Sequence, residues 1–208
     1  MTREEREYLD SYDYTRYDRP SLAADMAVFS IMGMESQENY RKDPEQKLKL
    51  LLVRRGEFPY KGDWALPGGF CRPEESTLET AKRELLEETG VETAYLKSFA
   101  VFDKPDRDPR GWIISHAFLA LINGERYQVH GGSDAWEAQW FFIRCKKQTK
   151  KKQIEEEWAK IENIYELEFI CEEGDQVRLS AVVKEEKSFQ NYHESVKYEI
   201  VKSEGLAF

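Results

Sequence analysis

Residues 69–91 carry the feature that most constrains this chain, an acidic motif of fixed spacing that reads GFCRPEESTLETAKRELLEETGV. Gly69 is followed after five residues by Glu75 and, after seven more, by the run RELLEETGV at 83–91. Seven positions of the pattern each require one residue type, so a chance match has a probability below roughly 10⁻⁸ per starting position. The high glutamate content of the chain raises this figure but does not explain the spacing.

Local signals predict a helix over the second half of the motif. Ser76 and Glu79 have the spacing of a capping box, with Ser76 as the N-cap. Gly90 stands where a left-handed residue ends a helix. Apolar residues recur at three- and four-residue intervals, so one face of this helix is expected to pack on a core. These residues are Leu78, Ala81 and Leu85.

The acidic residues of this helix predict a metal site. Glu84, Glu87 and Glu88 fall on one helix face, with Cβ atoms about 5–6 Å apart. Like charges at this spacing repel unless a cation joins them, and the repulsion grows when the groups are partly buried. Mg²⁺ prefers oxygen ligands and keeps substrate phosphates in its shell. Taken without the motif, such a cluster would more often be a solvated helix face.

Three further positions of the motif are expected to support this site. Arg83 can pair with Glu79 or Glu87 one turn away and hold a carboxylate in place. Glu75 lies in the preceding loop, where it can accept backbone N–H groups or contact a metal through water. Gly69 ends a Gly-Gly turn, and glycine lets the backbone approach a phosphate or a metal closely.

Composition and charge limit the remaining function classes. The 208 residues carry a net charge of −9, which does not favour nucleic acid as a partner of this chain. No stretch approaches the roughly 18 apolar residues of a membrane span, so no membrane partner is expected. Three scattered cysteines lack metal-ligand spacing and predict reduced thiols in a cytoplasmic protein. They are Cys71, Cys145 and Cys171.

The rest of the chain predicts mainly strands, which implies the α+β class. Alternating or continuous apolar runs bounded by turn residues predict strands at 21–34, 47–55, 95–103, 112–122 and 138–143, with a short strand before the motif. The lysine-rich run 146–152 predicts a solvated linker rather than a patch for an anionic ligand. Beyond it we expect a short helix at 154–164, a hairpin of 165–171 with 176–183, and a strand at 192–201.

The motif resembles the Nudix box, and every position that the box specifies is filled. The resemblance extends from about Tyr17 to Cys145 and implies the Nudix fold, a mixed β-sheet sandwiched between helices. It divides the chain into a Nudix hydrolase domain at 1–145 and an extra, strand-rich C-terminal segment at 146–208. The last residues, GLAF, resemble the lead-in to a winged-helix domain, so the chain is expected either to stand alone without that domain or to continue into it.

Two other stretches resemble a narrower group. Residues 107–112, RDPRGW, are similar to a loop of ADP-ribose pyrophosphatases and of the ADP-ribose-sensing Nudix domains of bacterial transcription regulators. Residues 17–21, YDRPS, ahead of a strand with Asp25, resemble the entry of the same group. The resemblance implies Mg²⁺-dependent cleavage of ADP-ribose to AMP and ribose 5-phosphate. The alternatives are an ADP-ribose sensor with little turnover and an enzyme for oxidised or non-standard nucleotides.

The resemblance and the chemistry of diphosphate cleavage together give the expected site. Glu84, Glu87 and Glu88 would bind Mg²⁺, with Mn²⁺ as an alternative and Gly69 as a further ligand, while Arg83 orients the acids. The general base is left open between Glu84 and two acids near the 130–137 loop, Asp134 and Glu137. A homodimer is expected from the resemblance. Four arginines are candidates for substrate contacts because guanidinium offers paired donors. They are Arg54, Arg55, Arg107 and Arg110.

Overall fold

The structure is a computed structural model of the chain, and it describes residues 1–32, 47–92, 95–131, 135–154, 158–171, 176–190 and 193–207. The described residues form two α-helices, α1 (Arg3–Ser11) and α2 (Thr77–Thr89), and ten strands. The strands are β1 (Ser21–Met32), β2 (Lys47–Arg55), β3 (Trp64–Ala65), β4 (Gly68–Phe70), β5 (Lys97–Phe102), β6 (Ile113–Ile122), β7 (Ala135–Ile154), β8 (Trp158–Ile170), β9 (Arg178–Gln190) and β10 (His193–Glu204).

All ten strands join one mixed sheet in the order β10-β9-β8-β7-β2-β1-β6-β5, with β3 beside β2 and β4 beside β1. Strand β1 lies near the middle and runs antiparallel to β2 and β4 but parallel to β6. Because β4 pairs with the first half of β1, it brings the start of the acidic motif to the centre of the sheet. The mixed sheet with helices confirms the α+β class.

Two apolar clusters lie on opposite faces of the sheet, as side chains alternate along each strand. On one face, Ala81 and Leu85 of α2 pack against Met26 and Val28 of β1 and their neighbours. Helix α2 thereby covers this face, as the apolar spacing of the motif predicts for Ala81 and Leu85. The prediction is wrong for Leu78, which lies in the first turn of the helix and is 38% exposed. The other cluster contains residues of β1, β2, β3, β7 and β8 together with Leu179 and Cys171. In the described residues strands, rather than a helix, cover this second face.

The chain after Ile143 differs from the sequence-based prediction. Residues 146–152 are not a linker, because β7 continues through them to Ile154. The predicted helix at 154–164 is also wrong, since β8 occupies Trp158–Ile170. The lysine run is stable as a strand because Lys146 and Lys151 lie directly opposite Glu166 and Glu162 of β8. The expected hairpin and last strand are confirmed as β8–β9 and β10, each longer than predicted.

Two terminal segments complete the fold. Helix α1, which the sequence reading did not include, has a capping box between Thr2 and Glu5 but no buried residue. At the other end, residues 205–207 return to β3, where the Trp64 N–H donates to the Gly205 carbonyl at 2.9 Å. Leu206 then packs in the second cluster with Trp64. Neither helix in the described part of the chain has the length and apolar character that a membrane crossing requires.

The second apolar cluster generates a stability prediction. Phe169 of β8 is 9% exposed in this cluster, whereas Phe189 of β9 is 36% exposed. We expect Phe169→Ala to lower the free energy of unfolding by about 3–5 kcal/mol, because it leaves a cavity in a shared core. Phe189→Ala should cost much less in the same urea titration. Equal losses would show that the C-terminal strands do not share the core of β1 and β2.

Candidate active site

Helix α2 begins and ends where the sequence predicts. The Ser76 hydroxyl accepts the Glu79 N–H at 3.3 Å, and the Glu79 carboxylate accepts the Ser76 N–H at 2.8 Å. Gly90 ends the helix in the left-handed conformation, with φ of 72°. The capping box and the glycine thus fix the two ends of the helix. Between these ends, the spacing of the residues decides which face carries the acids and which packs on β1.

Arg83 binds three of the acidic side chains of the motif at once. Its Nε donates to Glu75 Oε1 at 2.6 Å, and its Nη2 donates to Glu75 Oε2 at 2.8 Å. Its Nη1 donates to Glu84 Oε1 at 2.5 Å and to Glu87 Oε2 at 3.1 Å. Its Nη2 also reaches the Phe70 carbonyl of β4 at 3.2 Å. The expected pair with Glu87 is present, whereas Glu79 is used for the helix cap.

This network sets the protonation of Glu75. The two hydrogen bonds from Arg83 are the largest influence and lower the pKa of Glu75 to about 2, against partial desolvation. Thr80 and the Arg72 N–H also donate to this carboxylate. In turn, the hydrogen bonds to Glu75 and Glu84 raise the pKa of Arg83 above its usual value. Glu75 is therefore ionised at neutral and mildly acidic pH, and its charge holds Arg83 beside the other acids.

Two glycines, Gly68 and Gly69, let the backbone of β4 approach the acidic side chains closely. The Gly68 N–H donates to Glu88 Oε2 at 2.9 Å, and the Glu88 side chain is buried. A Cβ on Gly69 would lie 2.4 Å from the Glu84 carboxylate, and one on Gly68 would lie 2.5 Å from Asp25 Oδ1. Gly68 excludes a side chain because its Cβ would also lie 2.5 Å from the Ala24 carbonyl, whereas a side chain at Gly69 would displace the Glu84 carboxylate.

The carboxylate oxygens of Glu84, Glu87 and Glu88 are the type of ligand that a divalent cation prefers. Arg83 forms hydrogen bonds with two of these carboxylates. Among the residues that the structure describes, no three His, Cys, Asp or Glu side chains are grouped as a metal site. However, one oxygen each of Glu84 and Glu87 approaches the same nitrogen of Arg83, at 2.5 and 3.1 Å. The two carboxylates therefore converge on one positive centre, and a hard cation requires the same convergence of oxygens.

A second group of charges surrounds Asp25 on β1. Ser115 of β6 donates a short hydrogen bond to Asp25 Oδ2. Burial has the largest influence and raises the pKa of Asp25 above its usual value. The hydrogen bond from Ser115 and the positive charges of Arg107, Arg110 and Arg55 oppose this rise. Asp25 adjoins Gly68, and three of the four predicted arginines are near enough to act on its charge.

The sequence reading noted Asp25 only as part of a strand and missed its place at the site. Its partner Ser115 is 90 residues away, so no local pattern pairs the two. The parallel pairing of β1 with β6 is what brings them together. A signal was nevertheless present, because an acid inside an apolar strand requires a polar partner.

The remaining predicted residues are less close to the acids of α2. Arg54 donates to the Gly62 carbonyl at 3.1 Å and lies 3.8 Å from Glu137. Glu137 also accepts a hydrogen bond from Gln139. In the described contacts neither residue bonds to the α2 acids. Asp134, the other acid considered as a base, lies outside the described residues.

Comparison with known proteins establishes the family. A family model described as the NUDIX domain matches residues 40–163, which is more than half of the chain. The chain belongs to the Nudix family. The matched range extends past Cys145 into β8, so the family's pattern includes part of the long strands beyond the motif.

Two curated relatives are similar to this Nudix chain over nearly two thirds of its length. An ADP-ribose pyrophosphatase of Methanocaldococcus jannaschii is 38% identical over 64% of this chain and 68% of its own length. An ADPR responsive transcriptional repressor, NtrR, of Acinetobacter baylyi is 36% identical over 60% of this chain and 46% of its own length. The chain thus spans about half the length of the repressor.

Solved structures agree with this assignment. A MutT/nudix family protein of Enterococcus faecalis has a TM-score of 0.59 at 29% identity, covering 85% of this chain and 57% of that one. The NUDIX domain of Shewanella oneidensis NrtR, solved with ADP ribose, has a TM-score of 0.53 at 31% identity. That match covers 67% of this chain and 82% of the NrtR domain.

The Arg83–Glu75 pair generates a prediction on pH dependence. Because the folded-state pKa of Glu75 is lowered from 4.5 to about 2, its contribution to stability is complete above pH 4.5 and is lost as the pH falls toward 2. In Arg83→Gln the largest part of this contribution is lost, while the hydrogen bonds from Thr80 and the Arg72 N–H remain. Urea unfolding across that window should therefore show a shallower acid dependence for the variant than for the unchanged protein.

Arg72→Gln serves as the matched control for this experiment. Arg72 lies on the same side of Glu75 at 4.0 Å but is 59% exposed, so solvent screens its charge. Its variant should keep the steep acid dependence. Identical curves for Arg83→Gln and the unchanged protein would contradict the assignment of the low Glu75 pKa to Arg83.

Proposed function

We propose that this Nudix chain is a Mg²⁺-dependent hydrolase that cleaves the diphosphate of ADP-ribose into AMP and ribose 5-phosphate. The observation that carries the proposal is the convergence of Glu84 and Glu87 on one cationic centre, beside buried Glu88 and the Gly68–Gly69 turn. The similarity to an ADP-ribose pyrophosphatase supports the choice of substrate. Mn²⁺ is an alternative ion for the same oxygen ligands.

The metal would be held by Glu84, Glu87 and Glu88, with the Gly69 backbone beside them. When bound, such an ion neutralises phosphate charge and lowers the pKa of an attacking water. Arg83 would then keep its two bonds to Glu75, which anchor it to the loop, and release the oxygens of the other acids. The two hydrogen bonds to Glu75 would thus limit the movement of the Arg83 guanidinium away from the other acids.

Two contributions come from the chain's own residues. A carboxylate must take the proton of the attacking water, and Glu84 is the described acid closest to the Gly69 turn. The substrate's negative charge needs donors, and Arg107 has a buried Nε without a hydrogen-bond partner among the described residues. Arg110 lies in the same loop, bound to Asp108 at 2.8 Å and stacked 5.0 Å over the Phe70 ring. We assign both arginines to the diphosphate-ribose portion.

A sensor with little turnover is the second candidate. It is favoured by the similarity to the ADPR responsive repressor and to the NrtR domain solved with ADP ribose. The retained acids of α2 favour the enzyme, because a sensor needs donors for the ligand but no carboxylates for catalysis. Measured turnover separates the two directly.

Glu88→Gln tests the enzyme. The glutamine keeps the hydrogen bond from Gly68 but loses the charge that would bind a metal. We expect AMP release from ADP-ribose with Mg²⁺ to fall by more than about 100-fold, since loss of mere supporting residues already costs 10–100-fold. Glu74→Gln makes the same change at an exposed position and should retain activity. No AMP from the unchanged protein would reject the hydrolase.

Arg107→Ala tests the ligand. Loss of a buried charged donor should weaken ADP-ribose binding by about ten- to a hundredfold, as measured by calorimetry on the Glu88→Gln background without turnover. Arg126→Ala, at an exposed arginine in a turn, is the matched control. Equal affinities for the two variants would remove Arg107 from the site.

The homodimer expected from the family resemblance also remains a proposal. It requires a surface on which a second copy of the chain can bind, and its symmetry requires that this surface complement itself.

A further inference from the structure

Strand β10 is an unusual edge of the sheet. All twelve of its residues are exposed, and in the described part of the chain it pairs with β9 on one side only. A long exposed edge leaves a row of N–H and C=O groups free to pair with another strand. A β-bulge between Ile200 and Lys202 interrupts this edge near its end, so residues 193–200 form the regular stretch with which a further strand could pair.

The side chains of β10 favour an identical strand as that occupant. Residues 196–200 read VKYEI, which places an apolar residue at each end, a lysine and a glutamate inside them, and tyrosine in the centre. In an antiparallel pair of two such strands centred on Tyr198, Val196 faces Ile200 of the second copy. In the same pairing Lys197 faces Glu199, and symmetry repeats each contact.

Neighbouring registers do not have this complementarity. Centring the pair on Lys197 or on Glu199 places like charges directly opposite each other, which is destabilising. Centring it between residues sets a charged side chain opposite an apolar one or opposite Tyr198. Charge and apolar contact together therefore favour the register centred on Tyr198 over its neighbours.

The charges within the sheet continue the same alternation. Lys197 and Glu199 lie directly opposite Glu186 and Lys184 of β9. Lys184 in turn forms an ion pair with Glu162 of β8 at 3.0 Å. A second copy in the selected register would add Glu199 beside Lys197 and Lys197 beside Glu199, so that opposite charges alternate across the contact.

Side-chain hydrogen bonds also fix the centre of β10 to the strands beside it, so its exposed edge is already ordered for pairing with a second copy. Tyr198 donates to Glu185 of β9 at 2.9 Å, and Asn163 of β8 donates to the same carboxylate at 2.8 Å. Thr149 of β7 donates to Asn163 at 2.9 Å. This row of hydrogen bonds crosses four strands and ends at the residue on which the symmetric pair would be centred.

We propose that two copies of this chain associate through β10, antiparallel and centred on Tyr198, so that their sheets become continuous. A single strand pair is a small interface, so we expect a dissociation constant of roughly 1–100 μM. Analytical ultracentrifugation across that range should show conversion to a species of twice 24.5 kDa. A monomer at every concentration overturns the proposal.

Charge variants test the register. Lys197→Glu and Glu199→Lys each place like charges opposite in both symmetric contacts, and each should raise the dissociation constant at least about tenfold. An equimolar mixture should restore the dimer, because all facing pairs become opposite in sign. Each variant's own contacts with β9 are the same alone and mixed, so recovery on mixing reports the contact between copies. A mixture that stays monomeric overturns the proposal.

Two controls define the surface. Lys97→Glu makes the same charge change on β5, the opposite edge of the sheet, and should leave the dimer intact. Thermal unfolding confirms that every variant is folded. If Lys97→Glu dissociates the dimer and Lys197→Glu does not, the contact lies at the other edge and the proposal fails.

Cysteine cross-linking provides a second, independent measurement. Tyr198→Cys places two cysteines opposite each other at a Cα separation of about 4.5–5.5 Å, within reach of a disulfide. In Val196→Cys the two cysteines would be roughly 14 Å apart along the strands and could not join. Oxidation should therefore cross-link the first variant and not the second. Equal cross-linking of both would contradict the register.

Discussion

The contact on which the site depends is the set of hydrogen bonds from Arg83 to the acids of its own motif. Without a cation, Glu84 and Glu87 would repel each other on one helix face. Arg83 offsets part of this repulsion and, through Glu75 and the Phe70 carbonyl, connects the helix to the loop and to β4. The oxygens of Glu84 and Glu87 are therefore held together around one positive centre.

The motif could be predicted from sequence because its determinants are local. Ser76, Glu79 and Gly90 set the helix ends within a few residues, and the spacing of the acids sets their common face. The same local reasoning failed for the lysine run and for β8. There the strands are stabilised by partners on a different strand, such as Glu166 opposite Lys146 and Glu162 opposite Lys151, and no local pattern shows them. Asp25 with Ser115 was missed for the same reason.

The molecule uses charge in two different ways. At the motif, one arginine gathers several carboxylates, and the excess of negative charge suits a cation or a phosphate-bound metal. On the C-terminal strands, lysine and glutamate alternate between neighbours, as in the pair of Lys160 with Glu186. The motif retains more negative than positive charge, which a cation could offset. On the C-terminal strands, by contrast, lysines and glutamates of neighbouring strands offset each other, whereas β10 has such neighbours on one side only in the described part of the chain. Function and association are thus assigned to separate regions of one sheet.

The return of residues 205–207 to β3 links these regions mechanically. Trp64 bonds to Gly205 and Ala207 through its backbone, and its ring packs against Phe141 with the Leu206 side chain nearby. Strand β3 leads within three residues to the Gly68 turn that anchors Glu88. Residues 205–207 are therefore connected to the turn beside Glu88 through β3, so a change in the position of the C-terminal end would reach that turn across only a few residues.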